Sequence, residues 1–230
     1  MTTLSDYREE RLKKLAEIRS QGIDPYPSKS YRNTKISTIL NHFDEKDGQE
    51  VCVAGRIIAI RSFGKIAFVK IRDYFGEIQI FMQATDDVKE GEFGVKQLKL
   101  LDTGDFVEAN GVVGKSSTGE ISVFANSVRL LTKALRPLPG HDGLKNKEER
   151  YRRRYVDMNV NPEVRERLVR RSKFWQATRE FMMNHGFIEV NTPVLELTTG
   201  GADANPFVTH MDALDTDYYL RISQELPLKR

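Results

Sequence analysis

Between Val51 and Leu131 the chain alternates short β-branched or aromatic segments with Gly- and Asp-bearing breaks, and this rhythm leaves room for little but a small β-domain. Five strands are predicted there: Val51 to Phe63, Lys65 to Arg72, Glu77 to Met82, Phe106 to Gly114 and Ile121 to Leu130. Lys89 to Leu101 reads as a helix between the third and fourth. Five strands with one interposed helix match the Greek-key barrel called the OB-fold better than a sandwich.

The flanks follow other patterns. From Ser5 to Gln21, Tyr7, Leu12, Leu15 and Ile18 recur at near-helical spacing, and Gly22 supplies a stop. The connector Gly22 to Pro27 is predicted to be irregular, because two prolines remove backbone donors. After Leu131, Arg136-Pro137-Leu138-Pro139-Gly140 reads as a linker. Pro162-Glu163 then opens a long helix to His185, with Gly186 as its stop and a strand-like Phe187 to Val190 beyond it. The end, Tyr219 to Arg230, reads as a strand passing into a helix that stops abruptly, unlike a natural terminus. The expected organisation is an α+β chain: an N-terminal helix and connector (1–30), a five-stranded barrel (31–135), a linker (136–149) and the incomplete start of a second domain (150–230).

Composition narrows the possible functions. The chain has 230 residues, of which 39% are hydrophobic and 30% charged, which excludes disorder as the default. No apolar run approaches the ~20 residues of a membrane helix, and the first eighteen residues lack the apolar stretch of a secretory signal. No membrane association is therefore expected, and the cytoplasm is the expected compartment. A lone cysteine, Cys52, sits in an apolar segment and reads as a small core residue. Four scattered histidines and no cysteine pair give no metal-ligand spacing, so no structural metal is expected.

Net charge is only +3, but its distribution is uneven. From Lys145 to Lys173 there are eleven basic residues against five acidic ones. Within that run, Arg150-Tyr151-Arg152-Arg153-Arg154-Tyr155 interleaves guanidinium groups with rings, which suits phosphate contact and stacking; for an isolated run a nuclear signal or a salt-bridged surface is the better reading, and its place just after the linker is what draws attention to it.

On the barrel, alternation along Ala67 to Arg72 puts Phe68, Lys70 and Arg72 on one side and Val69 and Ile71 on the other. Arg61, Gln79 and Phe81 fall on the adjoining strands. An aromatic among cations is the composition of a base-stacking platform, and the Gln79 amide offers both donor and acceptor to a base edge. The same pattern fits a core Phe68 beneath a solvated charged face, and alternation alone does not separate the two. Gly111 to Ser116 has the flavour of a phosphate loop, but Ala109 stands where that motif needs glycine, and the segment joins two strands; a turn is the better reading.

Taken together, the motifs resemble those of the class II lysyl-tRNA synthetases over nearly the whole chain, from Tyr7 to Arg230. Arg19 to Pro27 is similar to the family's entry to the barrel. Gly55-Arg56, Gly64-Lys65, Phe68, Arg72-Asp73, Gly76 and Ile78-Gln79 follow its anticodon-binding barrel, and Leu130 to Pro139 its linker. Arg150 to Tyr155 with Asp157 resembles the opening of the catalytic domain in the subgroup that also charges Asp and Asn. Gly186 to Pro193 resembles motif 1, the dimer-forming helix and strand, while Gly200-Gly201-Ala202, Pro206-Phe207 and Thr209-His210 point to lysine.

The resemblance implies a cytoplasmic homodimer, formed through the motif 1 region, that adenylates lysine with ATP and Mg2+ and passes it to the 3′ end of tRNA-Lys. It also implies roles for particular residues. Phe68 would stack an anticodon base, Gln79 would read an edge, Arg61 would hold a base or phosphate, and Glu120 would accept a base hydrogen bond. Gly201, Ala202 and Glu225 would bind lysine, with the Glu225 carboxylate paired to either of its two ammonium groups.

Two departures qualify this expectation. Pro227 stands where the family usually carries an aromatic or other large residue, which puts the pocket shape there in question. The family's two later ATP motifs are not among these 230 residues, so anticodon recognition, with no catalytic residue and no cofactor, is expected of this chain alone. A non-catalytic RNA-binding paralogue is the alternative, and a general single-strand barrel fused to an unrelated domain fits the Gly200 to His210 tract less well.

Overall fold

A computed structural model describes residues 4–139 and 144–229. Residues 140–143 of the linker reading, and the terminal residues 1–3 and 230, lie outside this description. The chain divides into two compact units, up to residue 160 and from residue 161.

In the first unit, α1 (Leu4–Ser20) buries Arg11, Leu15 and Ile18, a four-then-three spacing that makes one stripe. It ends in a glycine cap. Gly22, at φ +75°, lets its own N–H reach the Arg19 carbonyl at 3.0 Å while Ile23 N–H reaches that of Ile18 at 3.3 Å. Two short helices follow, α2 (Ile36–Asn41) and α3 (Phe43–Lys46).

The barrel comprises β1 (Glu50–Phe63), β2 (Ile66–Arg72), β3 (Glu77–Gln83), β4 (Phe106–Lys115), β5 (Ile121–Ala125) and β6 (Arg129–Thr132). Residues 50–56 of β1 pair antiparallel with β4, and residues 56–63 pair with β2. Arg56 stands in both registers. The remaining pairings are β2–β3 and β4–β5 antiparallel, β3–β5 parallel and β6 on β4, so the sheet closes on itself. The strand β1 can serve two partners because it bends at an irregularity between Ile57 and Ala59. It also carries Gly55, where a Cβ would lie 2.8 Å from the Arg72 carbonyl oxygen. Inside sit Val53, Ile57, Val69, Ile71, Ile78, Ile80, Val107 and Val123, each 2% exposed or less.

The predicted fifth strand, Ile121 to Leu130, is interrupted and forms β5 and β6. Between them Val128 leaves the β4 register and exchanges two backbone hydrogen bonds, of 2.8 and 3.0 Å, with Phe93. The predicted helix over Lys89 to Leu101 shrinks to a 3-10 turn, Val95–Leu100. Gly91, at φ +78°, and Gly94 interrupt its first half.

A buried ionic cluster ties the ends of this unit together. Lys133 is fully enclosed, with Nζ 2.5 Å from Asp102 Oδ2 and 2.7 Å from Asp105 Oδ2. Lys14 of α1 reaches Asp102 Oδ1 at 2.7 Å, and Arg11 donates to the carbonyls of Thr103 and Ala134 at 2.9 Å each. Burial raises the Asp102 carboxyl, but Lys133 and Lys14 outweigh it and hold the group below the usual range. The Cys52 thiol, by contrast, is pushed up to about 11 by burial and by the nearby Glu108 carboxylate.

Past the described linker residues, α4 (Lys147–Arg152) starts under an Asn146 side-chain cap on Glu149 N–H, and α5 (Arg154–Val160) follows. The second unit opens with α6 (Pro162–Asn184), proline in its first turn, and ends it at Gly186, φ +83°. A three-stranded antiparallel sheet comes next, in the order β7 (Leu195–Glu196), β9 (Thr216–Leu220), β8 (Val208–Met211), and then α7 (Glu225–Leu228). Phe187 to Val190, predicted as a strand, forms no ladder among the described residues. Alternation supplies only a face; a strand also requires a neighbour for its backbone groups.

Removing the cation of the buried cluster leaves the enclosed Asp105 with two backbone N–H donors but no counter-charge. Lys133→Met is expected to lower stability by about 3–5 kcal/mol in urea denaturation. An unchanged midpoint would mean that the cluster adds little.

Candidate nucleic-acid interface

Cross-strand register turns separate sequence positions into one surface. Along β2, Ala67, Val69 and Ile71 enter the core, while Ile66, Phe68, Lys70 and Arg72 are half-buried on the outer face. Phe68 therefore lies outside the core. Arg61 pairs with Phe68, Phe68 with Phe81, and Phe81 with Phe124, so one row crosses four strands. Its rings touch in sequence: Phe63 to Phe68 at 6.3 Å, Phe68 to Phe81 at 5.3 Å and Phe81 to Phe124 at 5.1 Å between centroids, all edge-on or tilted. Arg61 stands exposed at the end of the row.

The adjacent row holds Lys70, Gln79 and Ser122. Gln79 Nε2 donates to Ser122 Oγ at 3.0 Å, and Ser122 Oγ donates to the Glu120 carbonyl at 3.0 Å. Glu120 itself is exposed, on the turn after Ser116 that Gly119 closes at φ +84°. The structure thus sets Arg61, Phe68 and Gln79 on one face and the Glu120 turn at its edge. At the next level the cations are partly engaged. Glu77 lies 3.5 Å from Lys70 and 3.9 Å from Arg72, and Arg72 Nη2 donates to the Asn159 carbonyl at 2.8 Å. Arg72 therefore anchors α5 as well as charging the face.

Sequence reasoning passed over Phe63, Phe124 and Ser122. Alternation along β5 puts Ser122 and Phe124 on one side, but the parallel pairing that sets them beside Gln79 and Phe81 joins residues some forty positions apart and leaves no local pattern.

The arginine run is largely spent on carboxylates. Arg150 Nε and Arg154 Nη1 both donate to Asp157, which is completely buried, at 2.9 and 3.0 Å. Arg152 pairs with Glu148 at 2.7 Å and Arg153 with Glu149 at 2.6 Å. The salt-bridged reading of this run accounts for these contacts, although Tyr151 and Tyr155 remain 61% and 66% exposed.

In the second unit the glycine loop packs against the start of α7. Gly201 adopts φ +81°, and a Cβ there would lie 2.9 Å from the Glu225 Cβ and 3.0 Å from Ser223 Oγ. Gly201, its neighbour Ala202 and Glu225 are thus brought together. The Glu225 carboxylate accepts from Lys229 Nζ at 2.5 Å, and Pro227 sits in the short helix without breaking it. Along α6 and the segment after it, Phe174, Trp175, Phe181, Met183, Phe187 and Ile188 are each at least half exposed. Among the described residues, no group of three or more His, Cys, Asp or Glu side chains is placed to hold a metal ion.

Residues 51–131 match the family described as an OB-fold nucleic acid binding domain, and residues 146–230 match the tRNA synthetases class II (D, K and N). The chain is thus similar to an OB-fold nucleic acid binding domain in its first part and to the class II tRNA synthetases of that group in its last. Among curated relatives, it is 45% identical over 229 residues to a lysine–tRNA ligase of Clostridium perfringens, covering 99% of this chain and 45% of the relative. A lysine–tRNA ligase of Pelotomaculum thermopropionicum is 45% identical over 228 residues, 99% of this chain and 44% of its own length. One of Carboxydothermus hydrogenoformans is 46% identical over 224 residues, 96% and 45% respectively. The chain spans somewhat under half the length of these synthetases. No helix among its described residues is long and apolar enough to cross a membrane.

Gly201→Ala would need both an unfavourable backbone conformation and space that the Glu225 side chain occupies. It is expected to move the backbone amide resonances of residues 223 to 226, 228 and 229, read by NMR on labelled protein. Unmoved resonances would place the loop away from Glu225.

Proposed function

We propose that the barrel of this chain recognises the anticodon of tRNA-Lys, as part of a protein that adenylates lysine and transfers it to tRNA. The observation that carries the reading is the aromatic row Phe68, Phe81 and Phe124, with exposed Arg61 at one end, the Phe63 ring against Phe68, and the Gln79 amide in the adjacent row. A base stacked on Phe68 gains about 1–3 kcal/mol from its π-face alone, whatever its identity. Arg61 supplies the charge for a phosphate or base, and Gln79 and Glu120 supply hydrogen bonds that depend on the base. The 45% identity to proteins named lysine–tRNA ligase supports lysine as the amino acid.

Gly201, Ala202 and Glu225 are proposed to hold it, with the carboxylate facing an ammonium group. That pairing requires lysine to displace or share the Lys229 contact. The apolar surface around Trp175 and Phe187 is proposed to be the homodimer contact, since exposed apolar patches of this kind mark interfaces. The barrel is assigned to residues 31–135 and the synthetase domain to 150–230, joined by 136–149, in a cytoplasmic enzyme that uses ATP and Mg2+. No step through ATP or Mg2+ is assigned to the described residues, which carry no cluster suited to the metal.

Binding of the chain to an anticodon stem-loop with a central uridine, at two salt concentrations, tests the reading. Phe68→Ala is expected to weaken it about 10- to 100-fold through lost stacking, and added salt to weaken it further. Equal affinity for stem-loops with and without the central uridine would reduce the barrel to an electrostatic binder.

A further inference from the structure

A primary amide is an ambiguous reader: turned one way it presents C=O, turned the other N–H. Around Gln79 the ambiguity is removed by a chain of hydrogen bonds with fixed polarity. The Glu120 carbonyl oxygen can only accept, and Ser122 Oγ lies 3.0 Å from it, so the hydroxyl proton is committed there. That carbonyl also accepts from Ser116 N–H at 2.9 Å, within the capacity of its two lone pairs. Serine has one hydroxyl proton. Towards Gln79, also 3.0 Å away, Ser122 can then only accept, and Gln79 must face it with its NH2. Ser122 is fully buried, so solvent does not compete for its hydroxyl.

We propose that Ser122 is a positioning residue that fixes the Gln79 amide with Oε1 and the second N–H turned away from it, and so sets which pyrimidine the barrel face accepts. The inference rests on the anticodon reading above. Uracil presents an N3–H donor beside carbonyl acceptors, which complements an outward Oε1 and N–H. Cytosine presents an N3 acceptor beside an amino donor and needs the amide reversed. A base held by stacking on Phe68 cannot turn over to compensate. Reversing the amide would point Oε1 at the Ser122 oxygen, which sets two acceptors face to face unless the hydroxyl gives up its bond to the Glu120 carbonyl, so the reversed state costs one hydrogen bond either way.

The test uses the full chain and two anticodon stem-loops, with uridine or cytidine at the central position. The wild type is expected to prefer uridine. In Ser122→Ala the preference is expected to fall about fivefold or more, the worth of one hydrogen bond, chiefly through tighter binding of the cytidine RNA. Ser122→Cys keeps the volume with a weak donor and acceptor and is expected to lose preference in the same direction, so it carries the test if the alanine variant does not fold. Ser122→Thr retains the hydroxyl and is expected to retain the preference. Folded Ala and Cys variants that keep the wild-type ratio would overturn the role of Ser122 and leave the anticodon reading intact. A wild type that binds both RNAs equally would instead remove the anticodon reading, and this inference with it.

Discussion

The first unit depends on one strand serving two partners. The strand β1 pairs with β4 over its first half and with β2 over its second, with Arg56 common to both. This double use closes the sheet, and closure removes the open edges that would otherwise pair with other chains. It requires the irregularity after Ile57 and the missing side chain at Gly55, where the β2 backbone comes within contact distance. A second glycine meets a similar demand at β4, where a Cβ on Gly111 would lie 2.2 Å from the Phe124 carbonyl oxygen. Once the barrel closes, strand pairing fixes which residues share the outer face. The row Arg61, Phe68, Phe81, Phe124 follows from that closure, since no two of these residues are near neighbours in the sequence.

The charged residues separate into two populations. Lys133, Asp102, Asp105, Lys14 and Arg11 are structural, joining α1, the segment before β4 and the segment after β6. Arg150 and Arg154 likewise serve Asp157. The exposed Arg61, at the end of the aromatic row, stands apart from these clusters. A small net positive charge therefore understates how selectively cations are placed at the candidate RNA face.

Much of this was legible in the sequence wherever a signal is local. Alternation located β1 to β4 within a residue or two, Pro162 and Gly186 bracketed α6, and the Gly22 stop and the Leu15 and Ile18 part of the α1 stripe were plain, although Tyr7 is exposed and Arg11 is buried on that stripe. Three kinds of information were not legible. A strand's partner is not encoded beside it, which hid the Ser122 contact and turned Phe187 to Val190 into a false strand. Glycine within an otherwise helical composition has an effect that depends on its φ, which is why Lys89 to Leu101 shortened to a 3-10 turn. Ion pairs over long separations are invisible, so Lys133 looked like part of a linker, whereas the pairs of Arg150 to Arg154 lie within seven residues and fit the salt-bridged reading that the sequence offered. Alternation put Phe68 on one side with Lys70 and Arg72, while Arg61 and Gln79, on the adjoining strands, and Glu120 took their roles from the family resemblance; the remaining members depend on how the strands pair.

Register, hydrogen-bond polarity and charge placement converge on one claim: nucleic-acid bases lie on the outer face of β1, β2, β3 and β5. Titrating isotopically labelled chain with an anticodon stem-loop, while following backbone and side-chain resonances, tests it most directly. The account predicts the largest shifts at Arg61, Phe68, Gln79 and Phe81 and at the Glu120 turn. Shifts confined to the arginine run from Arg150 to Arg154, with the barrel face unmoved, would contradict it.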